Sequence, residues 1–138
     1  MKTSNRQFRI GEVYGVAFGG NKNEQRGYRP GLVFQNNVGN TYSPNLIVLP
    51  LTSVVKKVDQ PTHVIIPSDS CGLLKDSIVL CENPQCVSKD RVGKYITTIP
   101  DKYMSEVAAG SLIASSAVSF LDPISLLAVW QKAVSLNS

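Results

Sequence analysis

One histidine, one tryptophan and three cysteines in 138 residues leave little material for several common chemistries. Cleavage of RNA by a pair of imidazoles is excluded, because His63 is alone. A Ser or Cys nucleophile activated by a His–acid relay needs an imidazole beside it. The only candidate stands in the β-branched stretch Pro61-Thr-His-Val-Ile-Ile66, where a packed or hydrogen-bonded strand residue is expected. Cys71, Cys81 and Cys86 are odd in number and follow a polar start, Met-Lys-Thr-Ser-Asn-Arg-Gln, which fits free thiols in a reducing cytosol. A cytoplasmic location is expected. Cys81-x4-Cys86 lacks a second ligand pair at zinc-site spacing, and no Walker loop, dinucleotide fingerprint, zinc-protease helix or aspartate cluster occurs. No metal and no cofactor are expected. Val107 to Leu121 is uncharged, but it is about five residues short of the ~20 that span a bilayer and holds four serines.

What is present is the 43% hydrophobic and 17% charged content of one soluble globular domain. Fourteen Lys+Arg against ten Asp+Glu give a net charge of +4. Residues 1–57 hold eight basic side chains and two acidic ones, a balance of +6, and the remainder carries −2. A polyanionic partner is therefore expected at the N-terminal half.

Six short strands are expected: Glu12–Phe18, Gly31–Gln35, Leu46–Leu51, Thr62–Ile66, Ser77–Leu80 and Tyr95–Ile99. A polar loop through Asn21-Lys-Asn-Glu-Gln-Arg-Gly-Tyr-Arg-Pro30 joins the first two, and Asn36–Asn45 is a turn-rich connection. In the last third, Asp101 starts a helix reaching about residue 116, with Met104, Val107, Ala108 and Leu112 on one face. Gly110 weakens it slightly. Asp122-Pro123 is a second helix start, leading into Ile124–Val134. The reading is one α+β domain over residues 1–138, with a core of about 8–118 and a helical extension of about 119–138.

Arg29, Thr52 or Glu24 taken alone is unremarkable: a loop charge, a strand end, a surface acid. Their company is more specific. Gly11-Glu-Val-Tyr14, Glu24-Gln25 with Gly27-x-Arg29-Pro30, Val33-x-Gln35-Asn36-x-x-Gly39-Asn40-x-x-Ser43-Pro44, Thr52, Pro61-Thr-His-Val64, Asp76-Ser77 and Glu82 occur in order from about residue 8 to residue 118. In this the chain resembles the MazF/PemK family of toxin endoribonucleases. The resemblance implies an SH3-like small β-barrel with a C-terminal helix, a homodimer, a cognate antitoxin, and metal-independent cleavage of single-stranded RNA at short motifs. It places the catalytic arginine at Arg29 and the catalytic threonine at Thr52, with Glu24 and Gln25 in support.

The chemistry suits those residue types. Attack of a ribose 2′-hydroxyl on its phosphodiester builds charge on phosphate oxygens that a guanidinium fork and a hydroxyl can bind. Arginine is a poor proton acceptor near neutral pH, which leaves Glu24 as the base. The expected products are a 2′,3′-cyclic phosphate and a 5′-hydroxyl. Recognition of splayed bases calls for aromatic, amide and basic groups, and Lys22, Gln25, Arg26, Tyr28, Ser53, Lys56 and Lys57 are the candidates. Asn36 is expected to hold its loop.

Three departures from the family pattern stand out. Cys81-Glu-Asn-Pro-Gln-Cys-Val87 has Pro84 and Gln85 where relatives carry an apolar residue and an arginine. Arg26 replaces a common glycine. The tail after about residue 118 has apolar stripes on more than one side, for which packing on its own barrel is expected and a role at the dimer or antitoxin surface is the alternative. Two other functions remain open: a CcdB-like gyrase-poisoning toxin and a noncatalytic RNA-binding barrel. The chain ends Ser135-Leu-Asn-Ser138, without the terminal Trp-Gly-Ile that CcdB uses.

Overall fold

Alternation of buried and exposed side chains builds seven strands in the computed structural model, which describes residues 6–19, 28–53 and 60–137. They are β1 (Glu12–Ala17), β2 (Tyr28–Val33), β3 (Asn45–Ser53), β4 (His63–Ile66), β5 (Ser77–Leu80), β6 (Gln85–Ser88) and β7 (Val92–Thr98). All pair antiparallel, in the order β4-β5-β3-β2-β1-β7, giving an unclosed barrel-like sheet. β3 carries β2 on one side and, on the other, β6 along Asn45–Val48 and β5 along Leu51–Ser53. The helices are α1 (Asn37–Tyr42), α2 (Ser68–Cys71), α3 (Asp101–Ser115) and α4 (Pro123–Leu136), with short 3₁₀ turns at Lys89–Arg91 and Ala117–Phe120. The α+β architecture is the expected one.

Two apolar clusters lie on opposite strand faces. Val13, Leu32, Leu49, Leu51, Val79 and Ile99 gather under α3, which contributes Val107. Tyr14, Val16, Val33, Leu46 and Val48 gather around Phe8 on the other side. Period-two alternation along β2 and β3 sends successive residues to one cluster and then the other. Tyr14 donates from its hydroxyl to Glu12 Oε1 at 3.0 Å. Burial, reinforced by that hydrogen bond and by the Glu12 charge, pushes its phenol up to about 12.

Several local expectations are corrected. β2 begins at Tyr28, so Arg29 and Pro30 belong to a strand and not to the preceding loop. The expected loop 36–45 contains α1, whose N-cap is Asn36, its Oδ1 accepting from the Gly39 N–H at 2.8 Å. β6 forms within the departing segment after Cys81, with Gln85 opposite Val48 and Cys86 opposite Ile47. Pro100 occupies the N-cap position of α3, and Asp101 sits in its first turn. Gly110 is a packing residue: a Cβ there would meet Cys81 Sγ at 3.0 Å and the Pro61 carbonyl oxygen at 3.2 Å. The tail helix forms where expected, with Asp122 Oδ1 accepting from Ser125 N–H at 2.7 Å and Pro123 in the first turn. It does not pack on the barrel, however, and each of its residues is exposed.

Candidate active site

The site starts from a missing hydrogen bond. Phe34 N–H donates to the Ile47 carbonyl at 2.9 Å, and the register continues through Leu32–Leu49 to Gly31–Pro50. Two residues further along from Leu32–Leu49, the next mutually bonded pair in an antiparallel ladder is Pro30 with Leu51. Pro30 has no N–H to give, and the ladder stops. Residues 28–30 stay with β1, where Arg29 is opposite Val16, while 51–53 pair with β5, where Thr52 is opposite Ile78.

Arg29 and Thr52 each lie two residues past the final Gly31–Pro50 pair, on the two strands that part there. Alternation places both on the same face, with Val33 and Val48. Both are exposed. Among the described residues neither side chain makes a hydrogen bond within the protein, so the guanidinium and the hydroxyl are available to a ligand. Ser53, one residue on, is exposed too and alternates to the other face.

Tyr28 also faces the opposite way from Arg29. Its ring rests against two glycines: a Cβ on Gly93 would meet Tyr28 Cε1 at 3.0 Å, and one on Gly15 would meet Cδ1 at 3.6 Å. The side chain stays 64% exposed, lining a hollow of about 550 Å³ with Lys94 and Ile96. An exposed aromatic ring beside a lysine is a surface on which a base can stack. Lys22, Glu24, Gln25, Arg26, Lys56 and Lys57 lie outside the described residues.

Basic side chains from the C-terminal half also lie beside β1, in addition to those expected from the N-terminal half. β7 pairs with β1 and brings Arg91 and Lys94 beside it. Arg91 donates to the carbonyl oxygens of Ala17 and Gly19, tying down the exit of β1, and shares a cleft of about 240 Å³ with Gln85, Cys86 and Ser88. Arg6 donates to the Val92 carbonyl at 2.7 Å and to that of Gly93, with its guanidinium over Phe8 and Tyr14. The sequence reading missed Arg91 and Lys94 because only strand pairing brings them near β1.

Other members of the resemblance set are structural. Asn40 is buried, donating to the Gln35 carbonyl at 2.8 Å and accepting from the Gln35 side chain at 3.1 Å. Gly39 lies so close to Gln35 that a Cβ would meet its side chain at 3.0 Å. Asp76 Oδ1 accepts from Ser68 N–H at 2.8 Å. His63 Nε2 meets Glu82 Oε2 at 3.0 Å, the structural role expected of it. Burial raises the Glu82 carboxyl, but hydrogen bonds from its own N–H, His63 and Thr62 outweigh that and hold it below the usual range. Cys81 is buried, with its Sγ 3.7 Å from the Val107 carbonyl, and burial raises its thiol; Cys86 is exposed. Among the described residues no group of three His, Cys, Asp or Glu is placed to hold a metal, and no helix is long and apolar enough to cross a membrane.

An antiparallel barrel-like sheet of this kind is shared with known proteins. Residues 9–112 match the PemK-like, MazF-like toxins of type II toxin–antitoxin systems. The chain is 37% identical over 97 residues to Endoribonuclease EndoA of Bacillus subtilis, covering 70% of this chain and 84% of that protein. It is 42% identical over 84 residues to Endoribonuclease MazF of Staphylococcus saprophyticus, covering 61% and 70%. In fold it is similar to an endoribonuclease from Mycobacterial species solved in complex with its cognate antitoxin, with a TM-score of 0.64, 24% identity, and 79% and 95% of the two chains covered. The chain belongs to the MazF/PemK toxin family.

Proposed function

We propose that this protein is a toxin endoribonuclease that cleaves single-stranded RNA at short sequence motifs without a metal ion. The observation that carries the reading is the placement of Arg29 and Thr52 on one face, without a hydrogen-bond partner among the described residues, on the two strands that part after Gly31–Pro50. Relatives named as endoribonucleases support it.

In the proposed reaction the 2′-oxygen bonds to the adjacent phosphorus and the bond from phosphorus to the 5′-oxygen breaks. Glu24 takes the 2′-hydroxyl proton, and the departing 5′-oxygen takes up a proton from Arg29, which solvent restores as Glu24 gives up its own. Arg29 binds the phosphate oxygens on which charge develops and donates toward the leaving oxygen; Thr52 Oγ1 donates to the same phosphate. The products are a 2′,3′-cyclic phosphate and a 5′-hydroxyl. Tyr28 and Lys94 beside it hold bases and backbone. The active form is a homodimer, and the partner that silences it is an antitoxin whose acidic, partly disordered segment covers the basic surface.

Incubation of the full chain with a long unstructured RNA in EDTA tests this, with every cut and its end groups mapped. Discrete cuts with cyclic-phosphate and 5′-hydroxyl ends, abolished in Arg29→Ala, are expected. Absence of cleavage by the folded chain across several RNAs overturns the reading and turns attention to a gyrase-directed or binding role.

A further inference from the structure

Tyr28 has a counterpart on the other face of the sheet. Tyr95 stands opposite Tyr14 in the β1–β7 register, and the two rings meet edge to face with centroids 5.7 Å apart. Tyr14 lies in turn 5.0 Å from Phe8, so an aromatic row climbs out of the second core cluster and ends on Tyr95. The outer ring stays 53% exposed, and its hydroxyl shares a 2.7 Å hydrogen bond with Thr98 Oγ1. Held by Tyr14 along one side and by Thr98 at its tip, it needs little further ordering to receive a ligand. Beside it is a hollow of about 580 Å³ lined by Arg6, Gln7, Tyr14, Gly93 and Lys94. Gly93 and Lys94 also line the Tyr28 hollow. They reach both because β7 is the edge of the sheet and its register with β1 shifts there, leaving Lys94, Tyr95 and Ile96 exposed in succession.

We propose that Tyr95 is a second base-binding residue, on which a nucleotide flanking the cut stacks, with Lys94 on the phosphate that follows. The assignment rests on the ribonuclease reading and extends its RNA contact to the β7 edge. Position is the first argument. Tyr14 pairs with Gly31 and Val16 with Arg29, so these four share a face, and the ring contact with Tyr14 puts Tyr95 on it as well. Tyr95 is two strands across from Gly31, and Arg29 is two residues along β2. Strand spacings of about 4.8 Å and a rise of about 3.4 Å then separate Arg29 from Tyr95 by on the order of 12 Å, within reach of neighbouring nucleotides. Chemistry is the second. An exposed ring beside a lysine suits a base and its phosphate together, whereas an acidic peptide would use the lysine and gain little from the ring. A strand leaving Arg29 crosses the catalytic face to Tyr95, rounds the edge past Lys94 and arrives at Tyr28 on the reverse face.

The test is binding of a fluorescein-labelled 2′-O-methyluridine dodecamer to the full chain, followed by anisotropy. This probe has no 2′-hydroxyl to react, and stacking is tolerant of sequence. Tyr95→Ala is expected to weaken binding at least about fivefold, while Tyr95→Phe, which keeps the ring, stays within about twofold of wild type. Lys94→Gln should flatten the dependence of log K on log salt by about 0.7. A local signal comes from Tyr95→Trp combined with Trp130→Phe, since Trp130 is the only native tryptophan. Its emission should be quenched by the dodecamer and left unchanged by a glutamate dodecapeptide. Wild-type binding by a folded Tyr95→Ala chain overturns the proposal, as does equal loss in Tyr95→Phe. Should Tyr95→Ala lose its far-UV circular dichroism, the tryptophan signal decides, and an absent quench overturns the proposal. Equal quenching by the peptide marks an acidic-protein surface and overturns it too. Cleavage of a long RNA by the wild type is mapped alongside. Cuts with no effect at Tyr95 remove this residue alone, whereas absence of cuts removes the ribonuclease reading.

Discussion

Arg29 and Thr52 share a face where β2 and β3 part, and the parting falls there because Pro30, between Arg29 and the last β2–β3 pair, cannot donate to Leu51. The proline of the Gly-x-Arg-Pro motif thus has a physical task. It ends the ladder, and the two strands then follow different neighbours, β1 and β5. Pro50 on β3 stands at a similar break, between the stretch paired with β6 and the stretch paired with β5.

Pro30→Ala restores a donor at the parting. The β2–β3 ladder is then free to extend to Leu51, drawing the two strands together at the site. The expected outcome is a melting temperature equal to or above that of the wild type with RNA cleavage reduced at least tenfold, in line with the sensitivity of such sites to small misplacements. Wild-type cleavage in this variant would show that the ladder break is incidental.

Tyr28 lies on the opposite face of β2 from Arg29, against Gly15 and Gly93. It is placed to hold a base and not the reacting phosphate. Tyr28→Ala should weaken RNA binding by about 1–3 kcal/mol and raise KM, with kcat within a few-fold of wild type. A loss confined to kcat would contradict this assignment. Tyr28→Phe should behave as wild type if stacking is what matters.

Gly110→Ala pits helix propensity against packing. Alanine favours a helix interior over glycine by about 1 kcal/mol, but the new Cβ would stand 3.2 Å from the Pro61 carbonyl oxygen and 3.0 Å from Cys81 Sγ. Backbone cannot yield as a flexible side chain does, so a net destabilisation of about 1–3 kcal/mol is expected from overpacking. Chemical denaturation measures it, and a stabilised variant would refute the close approach of α3.

Glu82 contributes to stability in a pH-dependent way. Its folded pKa is depressed, so its contribution is present above the unfolded value of about 4.3 and is lost as pH falls through the lower folded value. Because the carboxylate is 44% exposed, solvent screening keeps the effect small. Glu82→Gln should melt slightly below wild type at pH 6, and the gap should shrink as pH falls below the unfolded carboxylate value of about 4.3. A gap that stays constant over that range would show that the charge of Glu82 does not stabilise the fold.

Much of this was legible in the sequence, for identifiable reasons. The cores of β1, β3, β4 and β5 announce themselves by β-branched runs between turn residues, and the caps of α4 by Asp122-Pro123. The start of β2 was hidden because Pro30 reads as a strand boundary when only one of its two edges is considered. Its missing N–H faces the side where no partner remains. β6 was hidden by Pro84 and the polar Gln85, since its stability comes from β3 and not from its own propensity. Arg29 and Thr52 were found through motif order; Arg91 and Lys94 were not, because their proximity to β1 arises from a pairing between the two ends of the barrel sequence.

The most direct test of the account is a double-mutant cycle on Arg29 and Thr52, with single-turnover cleavage and RNA binding measured side by side. If both bind one phosphate, Arg29→Ala and Thr52→Ala each slow cleavage by about 10²–10³ while binding stays within a few-fold. The double variant then loses far less than the product of the two, as residues acting as a unit do. Fully multiplicative losses, or singles that cleave normally, would contradict a shared phosphate at the parting of β2 and β3.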